Sequence, residues 1–457
     1  MIDWLIDSLP IFMMVALALV LLLGYPVAFV LAGLGVVSAG IGYLLGEFPL
    51  IAFFNVPLRV WGSINGSLIY PAVPMLLFMG IALERSGVAQ ELLECLQRLL
   101  RRVPANLAVS MTIMGIILAP SAGLVGASVV TLALIGLPTM LNQGYRASIA
   151  TGSVAAAGTL GIVLPPGVML FVLADLFRVQ IAPMFMSTLL PAFGMAGLFI
   201  LYYIVSDLLS SERQTHEVEP WDKGTGAFVV FVVRSLFLPI ALVMFVLGSI
   251  VAGWASPTQS AAVGALGGLI ILGLKGRLTL PVVHQVLLGT AMTSAMVFFI
   301  IVAATVFSYP FNYFGGPDLI GDFLRDLGLN DWGMLLVILL ITFILGFFID
   351  WIEVFVVALP IFLPILRELD FVAHVGSPEL ATIWLAVLFA LVLQTSFMTP
   401  PFGFSLFFVK GAAPPSVSMV DIYKGVAPMV CFQLVMIAAV LVLPWLVAGP
   451  ASTVLLK

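Results

Sequence analysis

The sequence predicts an all-α membrane protein that crosses the bilayer many times. Its spans fall into two inverted repeats of five, each repeat with one re-entrant hairpin and one helix broken at a double proline. Hydrophobic residues fill 62% of the 457 positions and charged residues only 9%. A soluble domain carries ~25% charged residues, so too few polar groups remain to clothe a water-facing surface. Windows such as 181–206 carry no charge and are long enough to cross a hydrocarbon layer of ~30 Å as a helix. A barrel would need short strands of alternating polarity, and that alternation is absent. The same order of elements also recurs in both halves.

Hydropathy and punctuation place the ten spans near residues 9–23, 25–45, 68–84, 147–176, 182–206, 227–251, 258–274, 286–308, 380–409 and 425–447. Two further apolar stretches, 106–141 and 331–366, are broken near their middles, at 120–123 and 346–350. They read as hairpins that enter the membrane and return. An amphipathic stretch precedes each, 90–102 and 318–327, with the spacing of a helix lying at an interface. The polar segment 207–226 is the sharpest change of composition and reads as a cytoplasmic linker. It separates a first repeat, 1–206, from a second, 227–457. The first holds scaffold spans 9–84, hairpin 106–141 and broken span 147–176; the second holds hairpin 331–366 and broken span 380–409.

An odd number of spans per half sets related halves in opposite orientations. Inverted repeats with discontinuous helices mark secondary transporters. With the N-terminus outside, twelve Lys and Arg residues fall on the cytoplasmic side and five outside, the expected positive-inside bias. Both termini are then periplasmic. The opening MIDWLIDSLP is acidic and no small-residue cleavage site follows, so it reads as the first mature span rather than a signal peptide.

The breaks carry the chemistry. Proline supplies no backbone donor, and two in succession beside glycine and threonine unwind a helix. The first break runs from Thr159 through Gly161 to Pro165-Pro166-Gly167, the second from Thr395 through Met398 and Thr399 to Pro400-Pro401 and Gly403. Carbonyls freed at membrane depth need protein or a bound ion, and carbonyls with hydroxyls are the hard oxygens an alkali cation prefers. Asp350 and Glu353 are the acids within an otherwise apolar run. A buried carboxylate costs roughly 3 kcal/mol or more, so Asp350, at a hairpin break, is a candidate ion ligand as well as a helix N-cap. Glu353 stands at capping-box spacing and reads as structural. Ser121 and Ser128 border the first hairpin tip, where small-residue packing is the competing reading.

Other classes are disfavoured. Cys95 and Cys431 lie in separate apolar segments, and His216, His284 and His374 are scattered in expected loops or loop edges, without metal-site spacing. A net charge of −5 gives no footprint for nucleic acid. There is no GxxxxGK[ST] phosphate loop, so an ion gradient or a partner must supply the driving force. An intramembrane protease would need paired Asp, Ser/His or HExxH geometry within the spans, and none is present, so no catalytic residues are expected.

Three stretches, GASVVTLALIGLPTMLNQGYRASIATGSVAAAGTLGIVLPP, GFFIDWIEVFVVALPIFLPI and LQTSFMTPPFGFSLFFVKGAAP, resemble the large membrane subunit of tripartite ATP-independent periplasmic (TRAP) transporters. The resemblance runs essentially end to end. It implies sodium-driven import of an organic acid, a carboxylate or sulfonate, across the bacterial inner membrane by an elevator motion. It implies two partners, a periplasmic substrate-binding protein and a separate small four-helix membrane subunit. It implies two or more sodium ions and no organic cofactor. Family sodium sites lie where each hairpin tip meets a broken span, which carries over to Ser128, Thr159, Gly161 and Pro165, and to Gly346, Asp350, Thr395, Met398 and Pro400. Substrate contacts carry over to Ser121, Gly123, Gly167, Thr399 and Gly403. The family usually has serine after the first double proline, where this chain has Gly167. The alternative is a stand-alone ion-coupled organic-anion transporter of the divalent-anion or ion-transporter type, which shares hairpins and broken helices.

Overall fold

The computed structural model describes residues 6, 8–67, 69–118, 125–210, 221 and 224–455. All regular structure among them is helical. The tip of the first hairpin, with Ser121 and Gly123, lies outside the described residues.

The chain begins with α1 (Leu9–Leu22) and α2 (Val27–Leu44), then two short helices absent from the sequence reading, α3 (Leu50–Phe53) and α4 (Asn55–Asn65). Helix α5 (Ala72–Arg85) turns by 62° into the amphipathic α6 (Val88–Leu99). Gly87 between them has φ +77°, a left-handed conformation that glycine adopts without a Cβ penalty. The first hairpin is α7 (Asn106–Leu118) and α8 (Val125–Asn142), and the first broken span is α9 (Ala147–Val163) and α10 (Val168–Phe177). Long α11 (Ile181–Leu208) and α12 (Gly224–Val251) follow, then α13 (Pro257–Leu274) and α14 (Leu280–Tyr313).

Helix α14 has 34 residues, ~51 Å at 1.5 Å per residue, against the shorter span expected at 286–308. The polar ends added to the apolar core account for the difference, and they place His284 inside a helix rather than in a loop. The second amphipathic helix is α15 (Gly316–Asp326). The second hairpin descends as α16 (Asp331–Leu345) and returns as α17 (Trp351–Glu353), a π-helical turn (Val354–Ala358) and α18 (Leu359–Glu368). After the short α19 (Val372–Val375), the second broken span is α20 (Pro378–Ser396) and α21 (Phe404–Ala412). Helix α22 (Met419–Val442) stops two residues before Pro444, and α23 (Trp445–Leu455) is separate. The span expected to continue to 447 therefore ends earlier. Among the described residues eight helices are long and apolar enough to cross a membrane, or ten if each bent pair is one span.

The helices pack into two compact units, and each draws on both halves of the chain. One comprises residues 1–70 and 292–371. Here α2 and α14 touch at Gly35, where an added Cβ would lie 2.4 Å from the Val306 carbonyl oxygen. Phe48, Tyr309, Tyr313 and Phe314 build an aromatic cluster, with the Arg59 guanidinium 4.7 Å above the Tyr309 ring. Arg325 of α15 pairs with Glu368 at 3.0 Å, and the Asp370 N–H donates to Asp331 at 3.2 Å. Those two contacts close the base of the second hairpin and fasten it to its amphipathic helix.

The other unit comprises residues 71–291 and 372–457, with α9 at its centre. From Ala150 to Val163 every α9 residue is buried, most of them Ala, Gly, Ser or Thr. Small residues let helix backbones approach closely. Gly152 meets the Gly425 backbone on α22, Gly115 of α7 meets that of Ala157, and Gly158 faces Val129 on α8. The contacts also give directions. Gly152 lies beside Gly425, and Thr159 and Gln433, seven and eight residues on, share one neighbour, so α9 runs parallel to α22. Trp384 donates to the Val440 carbonyl while Met398, later in the chain, reaches the earlier Gln433, so α20 runs antiparallel to α22. The leading halves of the two broken spans therefore run in opposite directions.

Candidate functional site

At the first break, Pro165 and Pro166 would have donated to the carbonyls of Gly161 and Ile162 in a continuous helix, and neither has an N–H to give. The helix ends at Val163. Gly161 and Ile162 are buried, and neither carbonyl has a hydrogen-bond donor among the described residues. The chain then folds back so that the Gly167 N–H donates to Leu164 O at 3.1 Å. A Cβ at Gly167 would lie 3.0, 3.2 and 3.3 Å from the oxygens of Leu164, Ile162 and Gly161. Three carbonyls thus converge on a position left open by the missing side chain. Gly167 has φ −69°, so glycine serves space here rather than dihedral freedom.

The second break is built alike and finished differently. Both Pro-Pro bonds are cis. Pro400 and Pro401 deny donors to the carbonyls of Ser396 and Phe397. Here the protein replaces them: the Thr399 N–H donates to Ser396 O at 3.1 Å, and Ser405 donates to Phe397 O from its N–H at 3.0 Å and its hydroxyl at 2.6 Å. The Thr399 hydroxyl donates to Thr395 O and the Gly403 N–H to Thr399 O. A Cβ on Gly403 would stand 2.8–2.9 Å from three backbone atoms of Phe397 and Thr399. The turn admits no side chain there.

The breaks meet at Met398. Its sulfur lies 2.9 Å from the Thr159 hydroxyl and 3.5 Å from Nε2 of Gln433. All three residues are fully buried. Among the described residues Gln433 Oε1 has no hydrogen-bond partner, and neither polar atom of Gln394 has one although that side chain is also fully buried. Each such atom costs ~1–3 kcal/mol when nothing pairs with it. Gln394 precedes Met398 by one helical turn. Thr159, Met398 and Gln433 therefore form a buried, uncharged polar contact between the two broken spans, with Gly161 two residues after Thr159 and Gln394 one turn before Met398.

Ile162, Gln394 and Gln433 were not among the residues singled out from sequence. Ile162 follows from the proline rule that gives Gly161, applied to Pro166. The glutamines are amides inside apolar runs, a polar signal of the same kind as that of Thr159 and Asp350. Ser128 is half-buried on α8, close to Val129, which packs on Gly158. Thr395 is buried, and its hydroxyl donates to Leu391 O. Gly346 and Asp350 lie in the unit formed by residues 1–70 and 292–371. Gly346 ends α16, and the Asp350 carboxylate accepts from the Trp351 N–H at 2.8 Å as the N-cap of α17. Glu353 is buried with Oε2 unpaired. Among the described residues no three His, Cys, Asp or Glu side chains gather as a metal site.

Known proteins are similar to this chain. The chain is 25% identical over 339 residues to the C4-dicarboxylate TRAP transporter large permease protein DctM of Pseudomonas aeruginosa, covering 74% of this chain and 75% of that one. It is 26% identical over 438 residues to the isethionate TRAP transporter permease protein DctMQ of Oleidesulfovibrio alaskensis, covering 94% of this chain and 64% of the longer relative. Its fold is similar to the crystal structure of the Alcanivorax borkumensis YdaH transporter, at TM-score 0.58 and 18% identity, covering 86% of this chain and 88% of that one. Residues 14–446 match the family described as "Tripartite ATP-independent periplasmic transporter, DctM component", so this multi-pass inner-membrane chain belongs to the large permease subunits of TRAP transporters and is not an enzyme.

Proposed function

We propose that this permease subunit imports a small organic acid on a sodium gradient, receiving it from a periplasmic binding protein and working beside a small membrane subunit. The observation that carries the reading is the meeting of the two broken spans at Met398, with the carbonyls of Gly161 and Ile162 left without donors among the described residues. Uncharged oxygens at membrane depth suit an alkali cation better than a proton, because none of them titrates. The residues fit sodium: Thr159, Gly161 and Ile162 supply oxygens at the first break, and Thr395, Met398 and Pro400 form the matching segment. Gly346 and Asp350 are the proposed second-hairpin contribution. Ser121, Gly123, Gly167, Thr399 and Gly403 are the proposed substrate contacts.

The names of the relatives support the substrate class, one a dicarboxylate transporter and one an isethionate transporter, which pair carboxylate with sulfonate. Opposed directions in the two broken spans support the inverted repeats, and those repeats support alternating access by an elevator motion. The test is uptake of a labelled organic acid into vesicles holding both membrane subunits, with the cognate binding protein outside. Uptake should require an inward sodium gradient and the binding protein. Equal uptake on a potassium gradient would remove the sodium reading, and uptake without the binding protein would favour a stand-alone carrier.

A further inference from the structure

The C-terminal end of α6 and the first turn of α12 enclose a cavity of about 480 Å³ lined by Arg98, Arg101, Arg102, Trp221, Thr225 and Phe228 among others. Three arginines face one space with no acid among its described lining residues. Arg98 is held in place: it pairs with Glu94 at 3.0 Å and stacks 5.3 Å over the Trp221 ring. The indole N–H is itself committed to Gly224 O at 3.0 Å, and the ring stacks on Phe231 at 5.2 Å. Arg101 and Arg102 are exposed and enter no ion pair among the described residues. The cavity is therefore a built aromatic and guanidinium wall beside two arginines whose charge no ion pair offsets among the described residues.

Its level in the bilayer follows from the neighbouring side chains. Helix α6 is amphipathic, burying Val88, Leu92, Leu93 and Leu96 against the protein. Immediately beyond Phe228, α12 exposes Val229, Val230, Val233 and Phe237, which suits hydrocarbon. The cavity sits where the apolar stretch begins, the depth at which headgroups lie and where tryptophan rings concentrate. Planar guanidinium groups pair bidentately with phosphate oxygens, and basic pockets at this level hold anionic headgroups.

We propose that this cavity binds the phosphate of an anionic phospholipid, anchoring the end of α6 to the membrane surface. A free phosphate has the same head chemistry, but the apolar wall of Leu99 and Phe228 and the exposed valines beyond it favour a ligand that carries acyl chains. The site is separate from the buried polar centre at Met398, so its occupancy is measured by binding and not by uptake.

The full chain, purified with its small subunit, is titrated in phosphatidylcholine nanodiscs with fluorescent cardiolipin as probe. Each basic residue at an anionic surface strengthens binding about fivefold, so the variant R101Q/R102Q should bind the probe roughly 25-fold more weakly. Both side chains are exposed, so folding should survive, and an unchanged melting curve confirms it. Arg59→Gln, a change at a residue that does not line the cavity, should bind as wild type. Excess inorganic phosphate should displace the probe poorly. Unchanged affinity in R101Q/R102Q, an equal loss in R59Q, or full displacement by inorganic phosphate would each overturn the proposal, the last in favour of a free-anion site.

Discussion

The hydroxyl of Thr159 lies 2.9 Å from the sulfur of Met398, although 239 positions separate them in sequence. Thr159 stands one turn before the end of α9 and Met398 just beyond the end of α20, so this contact joins the two broken spans directly. The same hydroxyl has the carbonyls of Ala155 and Ala156 within 3.2 Å. One proton cannot serve all three acceptors. If it goes to the preceding turn, the oxygen lone pairs point away from that turn, as a cation ligand requires.

Replacing Thr159 by Val keeps the shape and removes the oxygen. Half-saturation by sodium should rise about tenfold, equivalent to ~1.4 kcal/mol and near the upper end for one polar group. Met398→Leu alone should change it less. The double variant should fall short of the summed effects by at least ~0.5 kcal/mol, as contacting residues do. Additive behaviour in sodium titrations of uptake would show that the contact is packing only.

Gln394 should be a costly residue kept for binding. Gln394→Met preserves volume and removes two unpaired buried polar atoms. Without sodium the variant should unfold no more easily than wild type and gain up to ~1–3 kcal/mol. It should also lose the rise in melting temperature that sodium gives the wild type. A variant less stable than wild type without sodium, yet still stabilised by it, would assign Gln394 to packing.

Much of this was legible in the chain itself. Charge-poor windows and double prolines locate most of the apolar helices and both helix breaks, because a bilayer tolerates so few alternatives. The proline rule identifies Gly161 without coordinates. What stayed hidden depends on tertiary packing. That Met398 meets Thr159 depends on how α9, α20 and α22 pack, and contacts such as the close Gly152–Gly425 approach exist only in three dimensions. The two packing units also cross the boundary between the halves: contact follows proximity in space, whereas a repeat is a pattern along the chain. Nor does sequence tell that Ser405 re-satisfies Phe397 O at one break while Gly161 and Ile162 stay open at the other.

The two break glycines should differ in tolerance. At Gly167 an added Cβ meets carbonyl oxygens at 3.0–3.3 Å, so Gly167→Ser should fold and raise the sodium requirement a few-fold by crowding those oxygens. At Gly403 the nearest atoms are backbone at 2.8–2.9 Å. Gly403→Ala should destabilise by ~1–3 kcal/mol, as overpacking does. Thermal unfolding of both in detergent checks the order, and a reversed ranking would refute it.

Asp350→Asn should weaken sodium-dependent uptake while leaving assembly with the small subunit intact. The carboxylate caps α17 through the Trp351 N–H, and the amide oxygen of Asn can accept the same bond. Shape and cap survive, and only the charge goes. Unchanged sodium dependence in vesicles would leave Asp350 a cap and nothing more.

The elevator reading makes a prediction about which restraints are tolerated. The hairpins and broken spans are rich in Gly, Ser, Thr and Pro, whereas α12 is mostly bulky and apolar. Small residues let a site open and reclose around a ligand, and bulky ones suit a static face. Helix α7 of the first hairpin packs against both α6 and α12. Cys95 is buried and Cys431 exposed, so replacing Cys431 by Ala gives a background for engineered cysteine pairs. A cross-link from α6 to α7 should leave uptake near normal, because an arm and its hairpin travel together or flex locally. A cross-link from α7 to α12 should trap one facing state and abolish uptake, with reducing agent restoring it. Full uptake with the α7–α12 bond intact would mean the hairpin does not move against that helix, and a local gate would replace the elevator.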